Sequence, residues 1–270
     1  MTEGTLARHG KDAHPLRQLD RILRGEATRL SALRRGTIEL APGGLTLVIL
    51  ALGLLYGACM GSYALFQKSG AHPMQFLATI GKVPLLFLLT LVVTFPSLYV
   101  FNALVGSRLN LVAIGHLVIA ALAVMLAILA SFGPIVAFFS LSTTSYPFML
   151  LLNIIAFAVA GFLGLRFLLL TLHRLTQVQN EAAQAESATA ESSNDSPHDS
   201  AGALDRLENH VANAAVTRVF TIWIVVFGLV GAQMGWVLRP FLGHPSVAFT
   251  LFRGRESNFF EALGHLISHL

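Results

Sequence analysis

The chain has 270 residues, 54% of them hydrophobic and only 12% charged, against about 25% charged in soluble domains. One cysteine, Cys59, excludes an intrachain disulfide and a paired-thiol redox motif. The formal net charge of +4 is concentrated, with eight of the 18 Lys and Arg residues in positions 1–44, which points to topology and anionic lipid and away from nucleic acid.

Five stretches of roughly 20 or more residues carry no Asp or Glu, the pattern of membrane-spanning helices. They lie near 45–66, 83–107, 111–133, 147–172 and 219–239. The expected fold is an all-α, polytopic integral membrane protein with about five spans. Its parts are a cytoplasmic basic amphipathic segment (1–44), a four-helix transmembrane core (45–172), a flexible cytoplasmic linker (173–215), a fifth transmembrane helix (216–240) and an extracytoplasmic tail with a short interfacial helix (241–270). The first 44 residues are polar and basic, and the first apolar run is a full span without a small-residue cleavage site, which argues against a cleaved signal peptide. Basic residues crowd the side holding the N-terminus, so that side is expected in the cytoplasm.

In chain order, PLRQLDRILRGEATRLSALRRG (15–36) opens with proline and ends in glycine, as helices do. Leu16, Leu19, Leu23, Leu30 and Leu33 share a face opposite Arg17, Arg21 and Arg24. A helix lying on the anionic inner leaflet suits this pattern, and a short coiled-coil seam is the competing reading. In the first span, Gly53, Gly57 and Gly61 recur at intervals of four; in the fifth, Gly228, Gly231 and Gly235 line up similarly. Lipid tails are as apolar as leucine, so membrane helices associate where small residues let backbones approach. Both glycine sets are expected to be close-packed faces, within one copy or between copies.

Lys82 and Arg108 bracket the second span, which places Pro96 near its middle and Asn102 six residues on. Proline removes a helical hydrogen bond, and Thr94 and Ser97 stand close enough to satisfy freed backbone groups. A broken helix at the midplane can mark a transport site, but such breaks come in pairs from two repeats. The nearest echo of FPSLYVFN (95–102) is YPFMLLLN (146–153), whose proline opens a span, so Pro96 reads as a packing kink. A polar path, if present, would run past Pro96, Asn102, His116, Asn153 and Gln233. No span carries a carboxylate, which speaks against an ion-coupled carrier.

Residues 177–203 are rich in Ala, Ser and Glu without apolar periodicity, the composition of a flexible linker. Trp223 and Trp236 fall near the two ends of the fifth span, where indoles favour the interface. Near the C-terminus, Glu261, His265 and His269 are four apart and could share a metal, but solvated histidines of a terminal helix are the favoured reading and no metal is assigned. HExxH, GxSxG, P-loop and dinucleotide motifs are all missing, so neither catalytic residues nor a cofactor is expected.

Three stretches, KVPLLFLLTLVVTFPSLYVFNALVGSRL (82–109), SFGPIVAFFSLSTTSYPFMLLLNIIAFAVAG (131–161) and GAQMGWVLRPFLGHPSVAFTLFRGRESNFFEAL (231–263), resemble an uncharacterised bacterial multi-span membrane protein family. Five spans behind a cytoplasmic N-terminal region are also similar in layout to the Yip1-like membrane proteins. The resemblance implies the bacterial inner membrane and brings no catalytic residues. The expectation is a non-enzymatic membrane scaffold or assembly protein with a protein partner or further copies; the alternative is a small-solute or ion channel or transporter.

Overall fold

Proline is the first residue of three helices, where the missing N–H has no helical acceptor to serve. In the computed structural model these are α1 (Pro15–Leu23), α2 (Pro42–Leu65) and α3 (Pro73–Leu104). They are followed by α4 (Leu111–Ser142), α5 (Tyr146–Ser193) and α6 (Gly202–Val237). The structure describes residues 15–26, 42–66, 73–104, 111–193, 202–239, 241–242, 251–252, 260–261 and 264, and no strand occurs among them.

Four helical segments are long and apolar enough to cross a membrane: Gly43–Leu65, Pro73–Ser97, Ile114–Ser142 and Tyr146–Arg174. The protein is therefore a polytopic all-α membrane protein, as its composition predicts. Leu47, Leu77, Val92, Phe138, Leu141 and Phe162 are all exposed, the outward apolar coat that lipid requires. The central helix is α4, whose residues Ala120 through Leu126 are all buried. It packs against α2 and α5, while α3 packs against α2 and α6.

A short turn fixes α4 and α5 as antiparallel, whereas α2 runs parallel to α4, with Cys59 against Gly133 and Tyr63 against Thr144. Residues 143–145 join α4 to α5, with the Ser145 hydroxyl accepting from the Phe148 N–H at 3.5 Å. The Tyr63 hydroxyl of α2 donates to the Thr144 carbonyl at 3.0 Å and ties that turn to the bundle.

Four features differ from the sequence expectation. First, α3 begins at Pro73, about three turns before residue 83, because PMQFLATIGK is itself apolar enough to extend the helix through Lys82. Second, α5 continues to Ser193 and α6 starts at Gly202, so much of the expected linker is helical; alanine, glutamine and glutamate are strong helix formers even without an apolar face. Third, α6 ends at Val237, two residues before the expected end of the fifth apolar run at 239, where Arg239 stacks on the Trp236 ring. Fourth, α1 docks on the bundle beside α2 and α4, burying Gln18, Leu19 and Ile22. Its leucine stripe is thereby divided, since Leu16 and Leu23 stay exposed with Arg17, Arg21 and Arg24. Leu30 and Leu33 lie outside the described residues.

Candidate functional site

The glycine face of α2 lies on α3. A Cβ on Gly53 would stand 3.0 Å from Pro84 Cβ, one on Gly57 2.8 Å from Ile80 Cα, and one on Gly61 3.1 Å from the Phe76 ring. Pro84 lacks the N–H that the Ile80 carbonyl would otherwise receive. Gly57 brings its backbone to that same carbonyl, and a Cβ there would be 2.9 Å from the oxygen. In α6 the set divides: Gly231 faces Thr90 and Gly235 faces Leu86, whereas Gly228 meets nothing within 4 Å and is exposed.

The residues of the expected polar path take different environments where their side chains are described. Pro96 is exposed, eight residues before the end of α3 rather than at the middle of a span, because the helix starts earlier. The Thr94 and Ser97 hydroxyls bond to the Thr90, Leu91 and Thr94 carbonyls and not to the Val92 carbonyl that Pro96 frees. Asn102 is helical, and its side chain lies outside the described residues. His116 is half-buried near the start of α4, and Gln233 is half-buried on α6. Asn153 is 2% exposed, accepts from the Tyr56 hydroxyl at 2.8 Å and donates to the Met149 carbonyl at 2.8 Å. Phe157, one turn on, meets the Tyr56 ring edge-on and stacks on Phe87, so α2, α3 and α5 share one aromatic cluster. No hydrogen bond joins His116, Asn153 and Gln233 to one another.

Trp223 belongs to the interior rather than the interface. It is fully buried, and its indole N–H donates to the Thr94 carbonyl of α3 at 3.1 Å. Buried tryptophan needs such an acceptor, and this contact fixes where α6 meets α3. From there α6 runs antiparallel to α3, with Gly231 level with Thr90 and Gly235 level with Leu86. It stops at Val237, two residues past the contact of Gly235 with Leu86.

The chain that follows α6 returns to α3 through three polar side chains. Gln75 and Thr79 both donate to the Phe241 carbonyl, at 3.0 and 2.5 Å. Lys82 donates its ammonium to the Leu251 carbonyl at 2.6 Å, with the Phe252 ring centroid 5.3 Å away. All three are almost fully buried, Lys82 at 4% exposure. They sit at i, i+4 and i+7, one face of a helix. Non-helical backbone at membrane depth needs donors for its carbonyls, and a buried ammonium needs an acceptor. Each here supplies the other. Lys82 lies ten residues into α3, with 22 helical residues after it. The spacing Gln75–Thr79–Lys82 was the available signal, hidden by starting the helix too late.

Glu261 is exposed, and its expected metal partners His265 and His269 lie outside the described residues; no group of three metal-binding side chains occurs among the described ones. Comparison with protein-family models, curated proteins and solved structures gives no match. Fold and site together define the class: a multi-pass helical membrane protein whose last helix leads into chain held by a polar face of α3.

Proposed function

We propose that the protein is a non-enzymatic membrane scaffold or assembly protein of the bacterial inner membrane, acting through helix packing. In this reading its N-terminus is cytoplasmic and α1 lies at the anionic inner leaflet. A protein partner or further copies cover part of its outer surface. The observation that carries the reading is the Tyr56–Asn153 bond: a fully buried amide of the membrane part ends on a protein neighbour, as do Gln75, Thr79, Lys82, Thr90 and Thr94. Polar groups matched in this way stabilise a bundle and offer a solute no continuous row of partners.

The test extracts the protein in lipid nanodiscs and measures the mass of the particle's protein content. The expected result is an assembly larger than one copy that falls to one copy with Gly228→Leu, since Gly228 is open in the single chain. A single copy in both cases defeats the reading.

One observation favours the alternative of a channel or transporter, with its path moved from Pro96 to Lys82. A buried lysine on a long apolar helix, beside non-helical chain, is a transport-like arrangement. Chloride or potassium flux in proteoliposomes that vanishes with Lys82→Met would establish it. Flux no greater than in empty liposomes would remove it.

A further inference from the structure

We infer that the junction of α1 and α2 binds a phosphoglycerol lipid headgroup, whose phosphate takes the N–H groups of Gly43 and Gly44 and whose hydroxyl donates to the Gln18 carbonyl oxygen. Three observations meet at this point. First, the donors of the first turn of α2 stand open. Pro42 has no N–H, Ala41 before it has no side-chain oxygen, and no described residue outside the helix accepts from Gly43 or Gly44. Such a turn carries the positive end of the helix dipole and draws an anion. Second, Gln18 is 6% exposed, and its Oε1 is buried without a hydrogen-bond donor, 3.8 Å from where a Cβ on Gly44 would stand. A buried amide oxygen left unpaired is costly, so the place calls for a group that donates as well as one that accepts. Third, α2 has 24 residues, about 36 Å of helix against roughly 30 Å of hydrocarbon, which sets its ends among lipid headgroups.

The chemistry selects the headgroup. A phosphate ester without donors meets the two N–H groups and leaves Gln18 unpaired, and a choline headgroup, with its nitrogen fully methylated, does the same. An ammonium would donate, but the helix end and the exposed Arg21, one turn along α1 from Gln18, disfavour a further cation. A glycerol hydroxyl donates without adding charge, and the lipid keeps the negative charge that Arg21 attracts. The way in is beside Gly43, which is exposed and has nothing within 4 Å of its Cβ position. The Gln18 amide turns toward that opening as the headgroup seats. The site presupposes that α1 lies at the anionic leaflet, and it serves a scaffold and a transporter alike.

The experiment titrates the full chain, in micelles of a neutral detergent, with phosphatidylglycerol or phosphatidylmethanol and reads bound lipid by native mass spectrometry. The two lipids carry the same charge, and only the first has headgroup hydroxyls. Phosphatidylglycerol is expected to bind about tenfold more tightly, the effect of one hydrogen bond to an otherwise unpaired buried oxygen. Gln18→Leu should bring the two lipids within about twofold of each other. The variant removes a buried unpaired group, so in the absence of lipid its thermal midpoint should be no lower than the parent's, which checks the fold. Equal binding of the two lipids by the parent would overturn the site. So would a preference for phosphatidylglycerol that survives Gln18→Leu, since surface charge alone would then explain it. Glycerol phosphate in solution competing as well as the lipid would overturn the lipid as occupant. Each outcome is read apart from the assembly mass of the Gly228→Leu test, so failure here leaves the scaffold reading standing.

Discussion

Gly57 of α2 lies directly against Ile80 of α3, so close that a Cβ on the glycine would stand 2.8 Å from the isoleucine Cα. The Ile80 carbonyl is the one Pro84 leaves without its helical donor. Proline and glycine thus act together across the interface: one exposes a carbonyl, the other allows a backbone to approach it. Weak Cα–H···O contacts of this kind recur where membrane helices touch. Backbone cannot yield as a flexible side chain does, so Gly57→Ala should lower stability by about 1–3 kcal/mol, the usual cost of overpacking. Gly228→Ala, facing open space, should stay within about 0.5 kcal/mol of the parent. Denaturant unfolding in mixed micelles measures both, and equal effects would contradict this account of the interface.

The two prolines inside α3 should respond in opposite directions. Pro96 is exposed and packs no neighbouring helix closely. Pro96→Ala restores the N–H for the Val92 carbonyl and should raise stability by about 1 kcal/mol, part of the roughly 3 kcal/mol an interior proline costs. Pro84 is buried, and its ring carbons lie 3.0–3.4 Å from the Cβ position of Gly53. Replacing it by alanine removes packed ring atoms and straightens the helix away from α2, so stability should fall by about 1–2 kcal/mol. The same unfolding measurement decides the pair; a gain at Pro84 would show that the kink is not needed for close approach.

These two prolines also show what the sequence could and could not reveal. Long runs without acidic residues made the helices and the membrane legible, since hydropathy alone decides whether a helix can cross lipid. The triple glycine of α2 was visible as a pattern, but its partner was not, because the pairing of helices depends on the whole bundle. A charge usually marks a span's end, so Lys82 suggests a helix start at residue 83, whereas α3 begins at Pro73 and holds Pro84 inside it. The acceptors for Lys82, Thr79 and Gln75 lie more than 160 residues away in the chain, and local pattern carries no trace of such pairings. Trp223 was misplaced for the same reason: an indole suits an interface or a buried acceptor, and only the fold supplies the Thr94 carbonyl.

The hydrogen bond between Tyr56 and Asn153 offers a direct measure of how much a buried polar pair contributes here. Both side chains are at most 2% exposed. Tyr56→Phe leaves the Asn153 amide oxygen without its donor, while Asn153→Leu leaves the hydroxyl without its acceptor. Hydrogen bonds between membrane helices average about 0.6 kcal/mol in double-mutant cycles and reach about 1.7. The full burial of this pair puts the expected coupling in the upper half of that range. A coupling near zero from the four unfolding curves would mean that the aromatic cluster with Phe157 and Phe87, and not the hydrogen bond, holds α2 to α5.

The last prediction separates two ways of holding α1. If the bundle holds it, the side chains that matter are Leu19 and Ile22, both buried against α2 and α4. If lipid holds it, the exposed Leu16 and Leu23 contribute as much. The structure favours the bundle, because Ile22 is 1% exposed and Leu16 is 63% exposed. Ile22→Asp puts a carboxylate into an apolar contact and should undock the helix, raising amide hydrogen exchange across residues 15–23 by about tenfold or more, the change expected when a docked element opens locally. Leu16→Asp should leave exchange in the same residues within about twofold of the parent, as surface changes do. Equal acceleration by both substitutions, measured in nanodiscs, would assign the helix to the membrane surface and remove its place in the bundle.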